Sequence, residues 1–327
     1  MHDHKRNLIS SVLDNTIQGI PIDHTTARAL TALSGSDKWD LFFAAGAVRD
    51  HYRGSQVDVC SIVNAKSGAC SEDCSYCAQS VHHATGALVY PLIAVEDMAR
   101  AAESAKKNRA KRFCIVTSGR GIESGEDLDA IAAGIQKVRD AGLSPCATLG
   151  TLTRDQLARL QDAGLHRYHH NIETSRNYFP RICSTHTFEE RLEVLGHARS
   201  LGLSLCSGGI FGLGETMEDR VEMAFTLREL DVDSVPINFL MPIMGTPLER
   251  AEALAPLEAL HAIALFRFIL PKKEIRICGG RRIGLGSLHP LIFAAGADGF
   301  MIGNYLTQSG LDPQEDLKMI HDLGLMV

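Results

Sequence analysis

Hydrophobic and polar positions follow a repeated order along most of the chain. From about residue 57 onward, short β-branched or apolar runs alternate with longer amphipathic stretches, many opened by Thr, Ser or Asp and closed by Ala-Gly or Leu-Gly. The short runs predict strands and the amphipathic stretches predict helices. The predicted strands cover residues 57–64, 112–117, 144–148, 167–172, 204–210, 234–240, 274–278 and 299–302. The predicted helices between them cover residues 95–108, 126–141, 153–163, 187–201, 217–230, 256–270 and 290–295.

Eight predicted strands with intervening helices imply a parallel sheet, which eight β/α units can close into a barrel. Residues 1–52 lack this order and are predicted to be helical. We therefore expect an α/β protein: a (β/α)8 TIM-type barrel over residues 53–327 with a helical N-terminal extension over residues 1–52. An open, doubly wound sheet is the structural alternative.

Composition and charge narrow the class of protein. The 327 residues are 45% hydrophobic and 22% charged, as in a globular protein with a large core. A formal net charge of -6 argues against nucleic acid or an anionic membrane as the main partner. No apolar run approaches the ~18 residues that a membrane-spanning helix needs, and the N-terminus lacks the apolar stretch of a signal peptide. We expect a cytoplasmic protein that binds neither nucleic acid nor membrane.

The cysteines carry the strongest chemical signal. Cys70, Cys74 and Cys77 form a C-x3-C-x2-C triplet, with Tyr76 just before the last thiol. Three thiolates this close can hold three corners of a cubane, whereas an ordinary [4Fe–4S] cluster takes four. The open iron can be chelated by S-adenosylmethionine (SAM), and in this spacing the triplet resembles that of radical SAM enzymes. A structural zinc site, which usually adds a second, distant cysteine pair, is the alternative.

A second set of cysteines lies in the predicted strands. Alternate strand residues point into a closed barrel, so thiols on different strands can converge there. Arg276 and Cys278 lie two residues apart and share one strand face. One buried cysteine is ordinary in a core, but several on one barrel predict a second iron–sulfur cluster. Cys60 is expected in the core and Cys183 is expected to have no role. Three predicted strands supply Cys114, Cys146 and Cys206.

One predicted strand is polar on one face, where His169, Asn171 and Glu173 alternate with Tyr168, His170 and Ile172. Buried polar groups need hydrogen-bond partners. Ribose hydroxyls or an amide-like substrate would provide them, as would a polar network closed within the protein.

A glycine-rich stretch follows Cys206 and is typical of a binding site for a flat ligand. Gly208 and Gly212 allow close backbone approach, and Ile210 could cover an adenine. Tyr76 could place its ring beside the same adenine or pack on the cluster. Asn238 could offer an amide inside the barrel or end a strand as a turn residue.

Several motifs together resemble the biotin synthases. They are Gly-Ala-Cys-Ser-Glu-Asp-Cys-Ser-Tyr-Cys-Ala-Gln-Ser, Cys-Ala-Thr-Leu-Gly, the Tyr-x-His-Asn strand, Cys-Ser-Gly-Gly-Ile-x-Gly-Leu-Gly-Glu-Thr, Ser-Val-Pro-Ile-Asn and Gly-Thr-Pro-Leu. The matches occur in order across about residues 55–310. The resemblance implies the last step of biotin biosynthesis. In it, a 5′-deoxyadenosyl radical removes hydrogen from C9 and then C6 of dethiobiotin, and sulfur from an auxiliary cluster joins the two carbons.

The resemblance also implies roles for residues and partners. Asn171 and Glu173 match contacts to the SAM ribose, and Asn171 and Asn238 match contacts to the ureido ring of the substrate. A flavodoxin or ferredoxin electron donor, the iron–sulfur assembly machinery and a homodimer are further expectations. The triplet would hold the [4Fe–4S] cluster, and the auxiliary cluster would be held by Cys114, Cys146, Cys206 and Arg276.

Three residues depart from the family pattern. His169 lies where the family usually has Asn, Glu173 where it has Asp, and Cys278 where it has Ser. The first two are expected to alter ribose and substrate contacts. A thiolate at Cys278 could displace Arg276, so we expect an auxiliary cluster other than [2Fe–2S], such as a four-cysteine, four-iron cluster with an extra sulfide.

Three other functions are compatible with parts of this pattern. A radical SAM relative, such as a hydrogenase maturase or a methylornithine synthase, would share the triplet and the barrel. A non-catalytic iron–sulfur electron carrier would explain the cysteines but not the polar strand. A zinc-stabilised barrel would need only the thiols.

Overall fold

The computed structural model describes residues 2–308 and 310–327, and it contains the predicted alternation of strands and helices. The helices are α1 (His2–Ile17), α2 (His24–Thr31), α3 (Asp37–Arg53), α4 (Val95–Lys107), α5 (Gly125–Asp140), α6 (Arg154–Asp162), α7 (Phe188–Ser200), α8 (Met217–Glu229), α9 (Pro256–Ile269), α10 (Arg281–Leu285) and α11 (Pro313–Asp322). The strands are β1 (Asp58–Lys66), β2 (Arg112–Thr117), β3 (Ser144–Thr148), β4 (Arg167–His169), β5 (Ser204–Cys206), β6 (Gly209–Phe211), β7 (Ser234–Phe239), β8 (Glu274–Ile277) and β9 (Gly299–Met301).

The sheet closes on itself. Its order is β5-β4-β3-β2-β1-β9-β8-β7-β6, and its strand pairs are parallel. β5 also pairs with β7, where Cys206 lies opposite Ser234. Ser207 and Gly208 separate β5 from β6, which continues the same side of the ring beside β7. With β5 and β6 counted as one interrupted strand, the (β/α)8 barrel is confirmed and the open sheet is wrong.

Besides the interruption between β5 and β6, two segments differ from the predicted elements. β4 ends at His169 rather than at residue 172, and beyond it Glu173 has a φ of 68°, in the left-handed region that extended strands do not use. The predicted helix 290–295 is replaced by α10 and a 3₁₀ segment, Gly286–Ile292. Pro290 inside that segment has no N–H to give to an α-helical ladder.

The three N-terminal helices pack on the outside of the barrel. α3 lies along α1 and α9, and α2 lies against α8 and α9. The Arg228 guanidinium donates to the Ile22 carbonyl at 2.8 Å, and the Tyr52 hydroxyl donates to the Thr16 carbonyl at 2.7 Å. Within the described residues, no helix is both long and apolar enough to cross a membrane.

Candidate active site

A cavity of about 400 Å³ opens where the carboxyl ends of the strands meet. This volume is typical of small-molecule sites, and catalytic loops of β/α barrels lie at this end. Its walls include all three triplet cysteines and all four cysteines predicted for the auxiliary site. The barrel therefore gathers into one place residues that are spread along the chain. Other predicted site residues on the walls are Tyr76, His169, Asn171, Glu173, Ile210, Asn238 and Arg276.

The loop after β1, called the cluster loop (residues 67–81), holds the triplet in a compact turn. The Cys70 N–H donates to the Gln79 carbonyl at 3.0 Å, and the Cys77 N–H donates to the Cys74 carbonyl at 2.9 Å. Burial raises the pKa of Cys77 to about 11, so a metal ion has to displace its thiol proton. Three thiols on one short, hydrogen-bonded loop fit three corners of a [4Fe–4S] cluster.

The loop that precedes α7 clamps the cluster loop from the side. The Asp73 carboxylate accepts hydrogen bonds from the N–H groups of Ser184 (2.9 Å) and Thr185 (3.2 Å). The Ser75 N–H donates to the Ile182 carbonyl at 2.8 Å. The position of the triplet is thus set from two elements that are about 110 residues apart in sequence.

Sequence reasoning gave Cys183 no role, but the structure places it beside the triplet. Its Sγ lies 3.8 Å from the Cys74 Sγ and 3.2 Å from the His186 Nδ1. His186 also hydrogen-bonds the Glu72 carboxylate. One ligand atom from each of Cys74, Cys183 and His186 lies within 4.8 Å of the other two. The Cys-x-x-His spacing before α7 was the sequence signal available for this contact.

The predicted auxiliary cysteines lie on strands inside the barrel. Cys114 on β2 lies opposite Cys146 on β3, and a hydrogen bond from Cys114 lowers the pKa of Cys146. Burial raises the pKa of Cys206, although nearby guanidinium groups oppose this effect. Cys278 follows β8 directly, and its N–H donates to the β7 backbone at 2.8 Å. Four thiols from four strands or strand ends therefore face one part of the cavity. We call this part, lined by Cys114, Cys146, Cys206 and Cys278, the strand chamber.

Cys60 is buried as expected, but it faces the cavity instead of the hydrophobic core. It contacts Cys278 and Met301. A hydrogen bond from Cys278 lowers the pKa of Cys60, and the same bond, together with burial, raises the pKa of Cys278. The sequence of β1 did not show which of its faces points into the cavity. Val59 and Val63 on one face are as apolar as Ile62 on the cavity face.

An ionic floor closes the barrel at the start of the strands. Arg276 donates from Nε to Ser234 at 2.9 Å and from Nη2 to Asp58 and Glu274 at 2.8 Å each. Although burial opposes ionisation, hydrogen bonds and charges from arginine hold the pKa of Glu274 well below its usual range. Two of the three guanidinium nitrogens of Arg276 are thus already engaged. The floor consists of Asp58, Arg112, Arg167, Glu274 and Arg276.

The polar face after β4 is a network that still borders the cavity. Asn171 accepts from the Gly208 N–H at 3.1 Å through Oδ1 and donates to Glu173 at 3.3 Å through Nδ2. A second Glu173 oxygen lies 3.6 Å from Arg191. Burial lowers the pKa of His169, so its imidazole is neutral near pH 7. The positive φ of Glu173 is the kind of backbone strain that concentrates at functional sites.

The glycine-rich stretch builds the barrel wall. A Cβ at Gly208 would lie 2.0 Å from the Pro236 carbonyl oxygen, so only glycine allows this close approach to β7. The Gly212 N–H donates to Glu215 at 2.9 Å. Among the described residues that line the cavity, Ile210 is present but Gly208 and Gly212 are not.

Two further polar residues border the cavity. Asn238 donates to the Gly209 carbonyl at 3.1 Å and accepts from the Gly279 N–H at 2.8 Å, which leaves one amide hydrogen for a ligand. His170, predicted for the opposite face, also lines the cavity, because the chain leaves the regular strand after His169. Within the described part of the chain, its buried Nε2 has no hydrogen-bond partner.

Comparison with known proteins places this site in a family. The chain matches the Radical SAM superfamily over residues 65–227 and the Biotin and Thiamin Synthesis associated domain over residues 236–326. Biotin synthase of Trichlorobacter lovleyi is 51% identical over 320 residues, which cover 98% of this chain and 96% of that protein. This chain belongs to the biotin synthase family. Biotin synthase of Geobacter sulfurreducens is 49% identical over 322 residues, covering 98% of each protein.

Solved structures with the same fold include other radical SAM enzymes. Methylornithine synthase has a TM-score of 0.82 at 20% identity, with 96% of each chain covered. A maturase of the [FeFe]-hydrogenase has a TM-score of 0.82 at 13% identity, with 98% of this chain and 75% of that chain covered. At these identities the likeness concerns the fold alone.

Membership of the biotin synthase family makes this chain a radical SAM enzyme that uses a [4Fe–4S] cluster and SAM. The donor chemistry fits both sites, because thiols line the cluster loop and the strand chamber while polar groups border the space between them. All nine cysteines lie within the described residues and are free thiols. Because the chain belongs to the biotin synthase family, the zinc-stabilised barrel and the non-catalytic electron carrier are not supported.

Proposed function

We propose that this protein is a biotin synthase that inserts sulfur between C6 and C9 of dethiobiotin. The observation that carries the proposal is the single cavity that exposes the triplet thiols and the strand thiols to the same space. A substrate there can contact a radical source on one side and a sulfur source on the other.

When bound, SAM and its cluster supply a radical that attacks inert carbon–hydrogen bonds, and the auxiliary cluster supplies sulfur. The chain's own residues hold and orient these groups. Cys70, Cys74 and Cys77 bind the [4Fe–4S] cluster, and Tyr76 lies beside them on the cavity wall. The cavity walls then screen the reactive carbon from water and from unwanted hydrogen donors.

Polar residues orient the two organic ligands. Glu173, held by Asn171 and Arg191, would bind the ribose hydroxyls of SAM through its carboxylate. Asn171 and Asn238 each keep an amide hydrogen for the ureido ring of the substrate. His169 is neutral, so it offers a hydrogen bond there without adding a charge.

Cys114, Cys146, Cys206 and Cys278 hold the auxiliary cluster in this proposal, with Cys278 in place of Arg276. The engagement of Arg276 Nε and Nη2 with Ser234, Asp58 and Glu274 supports this choice. A cluster with four thiolates would differ from the usual [2Fe–2S] cluster, for example as a four-iron cluster with an extra sulfide. Mössbauer spectra of reconstituted Cys278→Ala should then show an altered auxiliary cluster, and an unchanged spectrum would reject Cys278.

Partners and location are inferred from the family resemblance. We infer a flavodoxin or ferredoxin electron donor, the iron–sulfur assembly machinery, a homodimer and a cytoplasmic location. Two domains, residues 1–52 and 53–327, are likewise inferred, supported by the placement of α1, α2 and α3 outside the barrel.

An anaerobic assay tests the function directly. Reconstituted protein is mixed with a strong reductant, SAM and dethiobiotin, and 5′-deoxyadenosine and biotin are quantified by mass spectrometry. Both products are expected, with neither formed by Cys70→Ala. Deoxyadenosine without biotin from protein with a full iron and sulfide content would reject dethiobiotin as the substrate.

A further inference from the structure

Cys60 is the strand cysteine that the proposed ligand set leaves unused. It is 8% exposed, and what exposure it has is toward the same chamber as the four proposed auxiliary ligands. Its side chain contacts the Cys278 side chain, which is 7% exposed. A packing role in the hydrophobic core would not require this orientation, since the other face of β1 supplies core residues such as Val59.

The chamber thiols form two pairs. Cys114 and Cys146 belong to one cluster of packed side chains, and Cys60 and Cys278 belong to another. Ile62 packs against both clusters, so the two pairs flank one side chain.

Cys206 is the fifth thiol of the chamber. It lines the cavity together with the members of both pairs. Five thiols from five strands or strand ends therefore surround one space.

Cationic groups below this chamber match an anionic cluster with many thiolates. Arg276 lines the cavity together with Cys60 and Cys206, and its Nε donates to Ser234, which lies opposite Cys206 in the β5–β7 pair. Arg276 is fixed to the ionic floor through two nitrogens. It can therefore offset thiolate charge without leaving its carboxylate partners, whereas iron ligation would ask it to give up its proton.

We propose that Cys60 is a fifth thiolate ligand of the auxiliary cluster, paired with Cys278 on the wall beside Cys114 and Cys146. This inference rests on the proposed function and extends its ligand set. Five thiolates exceed the four ligands of an ordinary [2Fe–2S] or [4Fe–4S] cluster. Cys60 would add one more protein ligand to the cluster on the side of the chamber where Cys278 lies.

Iron analysis of the isolated auxiliary site tests Cys60. The full-length Cys70→Ala/Cys74→Ala/Cys77→Ala variant is reconstituted with ⁵⁷Fe and sulfide, so the Mössbauer spectrum reports the auxiliary cluster. Adding Cys60→Ala should lower auxiliary iron about twofold or more, or replace the spectrum with that of a smaller cluster. Cys60→Ser, which keeps the side-chain volume but offers iron a hard hydroxyl, should behave in the same way.

Matched variants separate ligation from packing. Met301→Leu alters the other side chain packed on Cys60 and Cys278 and should leave iron and spectrum unchanged. An unchanged spectrum in Cys60→Ser and Cys60→Ala overturns the inference, and so does an equal loss of iron in Met301→Leu. A change in Cys278→Ala alone would leave Cys278 as a ligand and reject only Cys60. Failure of the wild-type protein to form biotin would instead reject the function.

Discussion

The cluster loop and the strand chamber bring their cysteines together in opposite ways. The cluster loop carries three cysteines within eight residues, and its local hydrogen bonds and the clamp from Asp73 set their positions. The strand chamber takes each cysteine from a different strand or strand end, between Cys60 and Cys278. The spacing of cysteines in the sequence therefore predicts the site in the loop. The site on the strands forms only when the barrel closes. The difference agrees with our proposal that the loop holds an open-iron cluster and the chamber an enclosed cluster that donates sulfur.

Removing one cysteine from each region should separate the two chemistries, and this is the largest expected effect. Cys74→Ala should abolish both deoxyadenosine and biotin, because SAM cleavage needs the open-iron cluster. Cys146→Ala should still form deoxyadenosine but no biotin. Both products are measured by mass spectrometry in single anaerobic reactions. Loss of deoxyadenosine in both variants would show that the two regions are not independent.

The ionic floor should make the strand chamber the more stable region. Glu274→Gln should lower the free energy of unfolding by about 3 kcal/mol, because the buried Arg167 guanidinium loses its carboxylate partner while Arg276 keeps only Asp58. Denaturant unfolding of cluster-free protein measures this. Glu190→Gln, whose carboxylate pairs with Arg120 at the surface, is the control and should change stability by well under about 1 kcal/mol. Equal losses in the two variants would contradict the comparison.

Low pH should remove the stabilisation that the ionic floor gives to the folded protein. The pKa of Glu274 is below its usual value, so its stabilisation is present above the unfolded-state pKa of about 4.3. It is lost as the pH falls toward the folded-state pKa. Unfolding curves of wild type and Glu274→Gln should thus differ most above about pH 5 and converge as pH decreases. A constant difference down to pH 3 would show that the carboxylate charge is not its source.

A substitution at Glu173 tests the proposed SAM contacts between the cluster loop and the strand chamber. Glu173→Gln should weaken SAM binding about tenfold, because a hydrogen bond to a charged group contributes about 1.5 kcal/mol or more. Calorimetry or equilibrium dialysis with cluster-loaded protein measures the affinity. Glu173→Asp, the residue usual in the family, is the matched control and should lose less. Unchanged SAM affinity in Glu173→Gln would remove the carboxylate from the ribose contacts.

The smallest effect is expected at the clamp. Asp73→Asn keeps the shape but weakens two charge-assisted hydrogen bonds to Ser184 and Thr185. Limited proteolysis of cluster-free protein should cut the cluster loop several times faster than in wild type, with the strand chamber still protected. Equal cleavage rates would mean that the loop's own hydrogen bonds suffice to hold it.

Departures from the predicted elements occur at the site. The strand was predicted over residues 167–172, but the regular strand ends at His169, and both His169 and His170 line the cavity. Glu173, four residues farther on, has a left-handed φ that no extended strand uses. The predicted strand 204–210 is interrupted at Ser207 and Gly208, where β7 approaches too closely for any side chain at Gly208. The local sequence pattern could not predict where either strand stops, because both strand ends depend on contacts with neighbouring strands.

Hydrophobic periodicity and cysteine spacing were enough to predict the barrel and the triplet. Period and spacing are local properties, so hydrophobic alternation predicted eight strand positions, and the spacing of Cys70, Cys74 and Cys77 predicted their cluster. The contacts of Cys60 with Cys278 and of Cys183 with Cys74 follow from the folded barrel, since they join residues 218 and 109 positions apart. The inward face of β1 and the position of the α7 loop are set by packing across the closed barrel, which no short stretch of sequence contains.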